Sequence, residues 1–232
     1  TYCMPAAGLQ WKTNEQLLSS DEIVQVARVM AGLGVKKIRL TGGEPTTRHD
    51  LADLVVRLAT IDGINSVSLT TNGVLFARSA LSLKQAGLSG VNISLDSLNR
   101  ETFKKIARRD ALKQVLESIE AAIQTGFELV KINMVVMAGV NEHEMLDFVE
   151  LAKRKPVNVR FIEYMPFKGN QWDPTGVVSY AAMRERIEQT YALHAMPDTF
   201  IANRVAEDFM IPGFRGKISF IATSGEFTPR NL

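Results

Sequence analysis

The sequence predicts an α/β fold built on a parallel sheet. Short apolar runs, often β-branched, alternate with amphipathic stretches of helical spacing at about 30 residues per repeat, the length of a βαβ unit. The runs read as nearly continuously apolar, as expected of strands covered by helices on both faces. Five such repeats occur before the rhythm breaks after Met165. Five are too few for a closed eight-stranded barrel, and they suit an open or partial barrel or a doubly wound sheet. Either architecture places ligands at the C-terminal ends of the strands.

The strands are expected at Lys37–Leu40, Val67–Thr71, Val91–Leu95, Val130–Val136 and Val157–Tyr164. Before the first, Ile23, Val24, Ala27, Val29, Met30 and Leu33 form one apolar stripe, and Ser19 with Glu22 makes a capping box ahead of it. Leu51, Leu54, Val55 and Leu58 mark the next helix, and Leu81, Leu83 and Ala86 the third, ending at Gly87. Leu112, Val115, Leu116, Ile119 and Ile123 follow, ending at Gly126; Met145, Phe148, Val149 and Leu151 form the fifth. Beyond Met165, residues 166–176 read as a loop, 179–191 as a helix, the next stretch as irregular, and Lys217–Thr223 as one more strand.

Composition narrows the class. Hydrophobic residues make up 46% and charged residues 22% of 232 residues, an ordinary globular balance that excludes disorder, collagen and a coiled-coil rod. The net charge of +2 argues against a bulk nucleic-acid binder while leaving room for a local basic site. No apolar run reaches the roughly 18 residues of a membrane span. Cys3 is the single cysteine, so no internal disulfide forms and no cluster is held by this chain's cysteine alone. His49, His143 and His194 are scattered, and we assign them no chemistry.

The strand ends carry the chemistry. The first runs into Thr41-Gly42-Gly43-Glu44-Pro45, where two glycines let backbone amides approach a ligand and Glu44 can hold an ammonium group. A tight strand–helix turn explains the same five residues equally well. The second ends in Thr70-Thr71-Asn72-Gly73, the third in Ser94-Leu95-Asp96-Ser97, and the fifth carries Arg160, Glu163 and Met165. Lys37, Arg39, Lys131 and Arg160 lie inside strands. If they point inward they need anions, and a phosphorylated substrate is the simplest; if they face the helices, their heads snorkel to water. Trp11 and Trp172 lie in loops, where rim or core packing accounts for them.

Together the segments Tyr2-Cys3-Met4-Pro5, Lys37-Ile38-Arg39-Leu40-Thr41-Gly42-Gly43-Glu44-Pro45, Thr70-Thr71-Asn72-Gly73, Asn92-Ile93-Ser94-Leu95-Asp96, Val130-Lys131-Ile132-Asn133 and Arg160-Phe161-Ile162-Glu163-Tyr164-Met165-Pro166 occur in order, followed by Ile211-Pro212-Gly213-Phe214-Arg215-Gly216. This arrangement resembles the radical S-adenosylmethionine enzymes and, within them, the GTP 3′,8-cyclases of molybdenum cofactor biosynthesis. The resemblance implies a partial (β/α)6 TIM-type barrel of the radical SAM kind, with residues 1–165 as core and 166–232 as a truncated C-terminal extension covering the barrel. It implies a 4Fe-4S cluster (two in the intact family member) with Cys3 as one ligand. It assigns Tyr2, Gly42, Gly43, Glu44, Ser94 and Met165 to S-adenosylmethionine, and Arg39, Thr70 and Lys131 to GTP, with Lys37 and Arg160 near its phosphates. The implied reaction cleaves the sulfonium reductively to a 5′-deoxyadenosyl radical, which takes hydrogen from ribose C3′ before the sugar bonds to guanine C8. No residue is singled out as catalytic.

The implied partners are an electron donor and cyclic pyranopterin monophosphate synthase, which receives the product; a homodimer is compatible with the resemblance. Neither nucleic acid nor membrane is expected, and the implied location is the cytoplasm, or the mitochondrial matrix in a eukaryote. The first strand and two cluster cysteines would precede Thr1, and no cysteine appears from Ser219 to Arg230, where the second cluster should begin. Read as written, the chain is expected to be inactive on its own. The alternatives are a radical SAM enzyme with another substrate and a degenerate, non-catalytic nucleotide-binding relative.

Overall fold

A computed structural model describes residues 16–166, 173–196 and 206–222. Tyr2, Cys3, Trp11 and Trp172 lie outside the described residues. The described chain divides into two compact units, one of residues 16–94 and 113–130 and the other of residues 95–112 and 131–222.

In the first unit, helix α1 (Ser20–Gly32) begins at the expected capping box: Ser19 accepts from the Glu22 amide, and the Glu22 carboxylate accepts from the Ser19 amide. Helices α2 (Leu51–Ala59) and α3 (Ala80–Gln85) alternate with strands β1 (Lys37–Leu40), β2 (Ser66–Thr71) and β3 (Leu88–Ser94), which pair in parallel in that order. The register slips between Val67 and Ser68, and Ser89 fills the irregularity, its hydroxyl donating to Val67 O at 2.8 Å and lying 2.7 Å from Ser66 Oγ. Helix α5 (Leu112–Gln124) packs Val115, Ile119 and Ala122 into the core, with Phe76 and Phe127 tilted against each other at 5.8 Å. The α2 stripe is buried as expected, at Leu51, Leu54, Val55 and Leu58. Two stripes need correction. On α1 only Val24 and Ala27 of the expected set are buried, while Val29, Met30 and Leu33 are exposed; on α3 Ala80 and Leu83 are buried and Leu81 is exposed.

In the second unit, β4 (Leu129–Val136), β5 (Asn158–Glu163) and β8 (Lys217–Ile221) are parallel neighbours, and β7 (Glu207–Met210) and β6 (His194–Ala195) extend the edge antiparallel. Helices α4 (Arg100–Ala107), α6 (Met145–Arg154) and α7 (Tyr180–Glu188) complete it. Helix α4 and the β6–β7 pair are additions to the sequence reading. The first has two buried apolar residues, Phe103 and Ile106, too few for a stripe; the second lies in the stretch expected to be irregular. Phe220 is the hub of the core, with ring centroids 5.9 Å from Phe161, 5.6 Å from Phe209 and 5.4 Å from Tyr180. Burying such rings contributes about 2–3 kcal/mol each.

By residue type the strands alternate apolar and polar rather than run continuously apolar, which corrects the sequence reading, although β3, β5 and β8 bury residues of both faces. In the first unit Val67, Leu69, Leu88, Val91 and Ile93 are buried, whereas Lys37, Arg39, Ser66, Ser68, Thr70, Asn92 and Ser94 share the opposite, polar face by register. The second unit repeats the scheme. Ile132, Met134, Val136, Val159, Phe161, Ile218 and Phe220 are buried on one face, and the other carries the levels Lys131–Asn158–Lys217 and Asn133–Arg160–Ser219. A parallel sheet with one polar face does not bury both sides in core, so that face is where chemistry belongs.

Candidate active site

The first unit assembles its part of the site at the C-terminal ends of β1 to β3. After β1 the chain turns through Gly42, which has φ +140°, a conformation that favours glycine. A Cβ at Gly42 would meet nothing within 4 Å. The amides of Gly42 and Gly43 donate to no protein acceptor among the described residues, and both residues are exposed, so two adjacent donors are available to a ligand just beyond the strand end. This arrangement fits the anionic end of an amino-acid ligand.

Glu44 holds this loop in place. Its Oε1 accepts from the Thr46 amide at 3.0 Å, from Thr46 Oγ1 at 2.5 Å and from Thr71 Oγ1 at 2.7 Å, and its Oε2 accepts from the Asn72 amide at 2.7 Å. The carboxylate therefore caps the short turn Pro45–Thr47 and ties it to the end of β2. Asn72-Gly73 is fixed in turn. Gly73 has φ +76°, a Cβ there would sit 2.8 Å from Ile93 Cγ2, and the buried Ser118 donates to Gly73 O at 2.6 Å. The two glycine-bearing motifs thus form one braced unit, which the sequence shows only as separate polar strand ends.

Below the loop lies the polar face. Lys37 and Arg39 are exposed there and enter no ion pair among the described residues, so they are cations open to an anion rather than buried charges in need of one. Thr70 and Asn92 face each other across β2 and β3, with Asn92 Nδ2 donating to Thr70 Oγ1 at 3.3 Å. Ser94 lies one step further along the same face and is half-buried.

Behind the turn, Arg48 and Asp50 pin the start of α1. Arg48 Nε lies 2.6 Å from Asp50 Oδ1, and Ser20 Oγ donates to Asp50 Oδ2 at 2.6 Å. The Ser20 hydroxyl, and then the Arg48 guanidinium, hold the Asp50 carboxyl down at about 2. A pKa depressed in the folded state gives stability that is present above the ordinary carboxylate value and lost as pH falls towards 2. The side chains are about 30% exposed, so screening reduces the effect to about 1 kcal/mol. Wild-type protein is expected to lose that stability between about pH 4 and 2, and Asp50→Asn to remove this component of the loss. Urea unfolding at stepped pH measures it, and equal slopes in both proteins would contradict the assignment.

The second unit presents Arg160, 8% exposed, whose Nη1 donates to Asn133 Oδ1 at 3.5 Å, and Lys131, half-buried, one level away. Ser219 is fully buried between Asn158 Oδ1 at 2.8 Å and Asp208 Oδ1 at 2.7 Å. Glu163 belongs elsewhere: it is buried on the opposite, apolar face and accepts from the Tyr180 amide at 2.7 Å, so it caps α7. Met165 follows β5 and is half-buried. The loop after β3 is clamped by side chains that the sequence reading passed over. Glu144 accepts from Ser97 Oγ and the Leu98 amide at 2.7 Å each, and Asn141 donates to Asp96 O at 2.7 Å. Of the groups not assigned from sequence, Asn92 and Asn133 are single polar residues between apolar neighbours, and Asn141 and Glu144 belong to the polar run Asn141-Glu142-His143-Glu144, which reads as an ordinary helix start.

The fold and these strand ends define a radical SAM protein, and comparison with known proteins agrees. The model of the radical SAM superfamily matches residues 1–152. Streptococcus suis SuiB bound to S-adenosylmethionine superposes with a TM-score of 0.62 at 16% identity, covering 78% of this chain and 41% of that one. Methylornithine synthase (PylB) gives 0.62 at 17% identity, covering 80% and 56%. These likenesses show the fold: α/β, the partial TIM-type barrel of the radical SAM kind. Molybdenum cofactor biosynthesis protein 1 of Mus musculus is 47% identical over 97% of this chain and 35% of its own length. The GTP 3′,8-cyclase of Moorella thermoacetica is 43% identical over 95% of this chain and 68% of its own length. The chain belongs to the GTP 3′,8-cyclase family of radical SAM proteins. It spans about a third of the animal relatives and about two thirds of the bacterial one.

Proposed function

We propose that the intact protein converts GTP to (8S)-3′,8-cyclo-7,8-dihydroguanosine 5′-triphosphate, the first step of molybdenum cofactor biosynthesis. One observation supports this above the rest: in the first unit the exposed Gly42 and Gly43, whose amides have no protein acceptor among the described residues, follow the end of a polar sheet face whose far levels carry Arg39 and Lys37. Gly42, Gly43, Glu44 and Ser94 bind S-adenosylmethionine in this reading, with Tyr2 and Met165 completing its surroundings. Arg39, Thr70 and Lys131 bind GTP, and Lys37 and Arg160 favour its phosphates; guanidinium forks suit such anions. Cys3 is one cluster ligand. Among the described residues no group of three His, Cys, Asp or Glu side chains is placed to hold a metal.

When bound, the cluster and S-adenosylmethionine would supply, with an electron from an external donor, the radical chemistry by which GTP loses the hydrogen at ribose C3′; the bond from C3′ to C8 would then be completed by uptake of one further electron and a proton. The chain's residues orient the sugar, fix the triphosphate and keep water and other hydrogen donors away. A second cluster, an electron donor, a pyranopterin-forming synthase as recipient of the product and a homodimer belong to the same proposal. So does a division into a core of 1–165 and an extension of 166–232. Among the described residues no helix is long and apolar enough to cross a membrane, and the Arabidopsis thaliana relative is a mitochondrial GTP 3′,8-cyclase. We place this protein in the cytoplasm, or in the mitochondrial matrix of a eukaryote.

Arg39→Ala and Lys131→Ala test the substrate assignment. Each is expected to weaken GTP binding by about tenfold or more while leaving reductive cleavage of S-adenosylmethionine largely intact. Equilibrium dialysis with labelled GTP and chromatography of 5′-deoxyadenosine provide the two readouts. Unchanged GTP affinity in both variants would refute the assignment.

A further inference from the structure

We propose that Asn92 is a substrate-binding residue that takes the 2′,3′-diol of the nucleoside triphosphate; the proposal rests on the GTP reading above. Asn92 is 4% exposed, yet among the described residues its carboxamide makes one hydrogen bond, from Nδ2 to Thr70 Oγ1 at 3.3 Å. A carboxamide offers two N–H donors and an oxygen with two lone pairs, so one bond to Thr70 leaves most of its capacity for a ligand. One N–H and Oδ1 remain, side by side, on the polar face. Their complement is a vicinal diol, in which one hydroxyl donates to Oδ1 and the other accepts from Nδ2.

The register decides which diol. Reading up the face, Lys37 pairs with Ser66, Arg39 with Ser68, and Thr70 with Asn92; Ser94 lies one level above. Levels two residues apart are about 6.6 Å apart along a strand. A triphosphate held at the Lys37 and Arg39 levels puts its ribose about one level higher, at Thr70 and Asn92. The level of Ser94 and the Gly42-Gly43 amides then remains for the cofactor, whose carbon must reach C3′ of that ribose. A diol on the cofactor would sit above Asn92, so the substrate's ribose is the match. Binding the diol holds C3′ in one orientation, which a hydrogen transfer requires.

Binding of GTP, 2′-deoxyGTP and 3′-deoxyGTP to the intact, anaerobically reconstituted protein tests this. Wild type is expected to prefer GTP to both deoxy analogues by about tenfold. Asn92→Ala should weaken GTP by a similar factor, bind the three nucleotides alike and keep its affinity for S-adenosylmethionine. Asn92→Asp, isosteric and rich in acceptors, should keep the preference for the ribonucleotide. A wild type that binds all three nucleotides equally overturns the proposal whatever the variants do. So does an Asn92→Ala protein that retains the preference, or one whose loss falls on S-adenosylmethionine. A wild type that binds no GTP overturns the substrate reading itself, a distinct result.

Discussion

Glu44→Ala is expected to lower stability by about 2–3 kcal/mol and to abolish measurable S-adenosylmethionine binding together. Its carboxylate accepts from four donors, and two of them, Thr71 and Asn72, belong to the end of another strand. Hydrogen bonds to a charged acceptor are the stronger kind, and their loss leaves the buried Thr71 hydroxyl and the half-buried Thr46 amide without this partner. The loop carrying the Gly42 and Gly43 amides would lose its brace to β2, so the effect on the ligand follows from the effect on the fold. Glu44→Gln should fall between, since an amide retains one acceptor oxygen and turns an NH2 towards a donor. Thermal unfolding and equilibrium binding read the two effects. Full stability with selective loss of binding would refute the bracing role and leave Glu44 with direct contact to the ligand alone.

Gly216→Ala should have the largest effect on the fold, about 3–4 kcal/mol. A Cβ there would lie 2.2 Å from Val157 O, 2.8 Å from Lys155 O and 2.9 Å from Ala152 O, all backbone atoms that cannot move aside as a side chain would. The same residue donates its amide to Ala152 O at 2.8 Å, and Lys217 donates to Val157 O at 2.9 Å, so the entry of β8 is locked against the α6–β5 connection. Losing that lock displaces Ser219 from its place beside Arg160, and GTP affinity should drop as well. Gly42 is the contrast. It meets open space, so Gly42→Ala carries only the strain of φ +140° and should cost about 1 kcal/mol. Urea unfolding of both variants reads the difference, and a cost below about 1 kcal/mol for Gly216→Ala would refute the close-packing account.

The sequence announces most of this fold because its strands are short, bounded and regularly spaced. β1 lies at Lys37–Leu40 as expected, β2, β4, β5 and β8 shift by one or two residues at one or both ends, and β3 begins three residues earlier than expected. The capping box at Ser19 and Glu22 and the α2 stripe were legible for the same local reasons. Where two apolar arcs compete on one helix, spacing cannot choose between them, and α1 buries Val24 and Ala27 while Val29 and Met30 stay exposed. Helix α4 escapes notice because Arg100–Ala107 holds only Phe103 and Ile106 as buried anchors. The polar face was written in the sequence as Ser66, Ser68, Thr70 and Asn92, yet each alternates with a buried aliphatic residue, and the run reads as apolar until register aligns the faces. Glu44 and Glu163 show the other limit. Composition marks both as candidates for chemistry, and only geometry shows that one braces a loop and the other caps α7 on the apolar face.

The central proposal is that the intact protein directs a carbon radical to C3′ of a purine nucleoside triphosphate. Its most direct test is isotope transfer in the intact, reconstituted protein supplied with S-adenosylmethionine, reductant and GTP deuterated at C3′. Deuterium is expected in 5′-deoxyadenosine, in step with consumption of GTP. Formation of unlabelled 5′-deoxyadenosine while the nucleotide is recovered unchanged would contradict it.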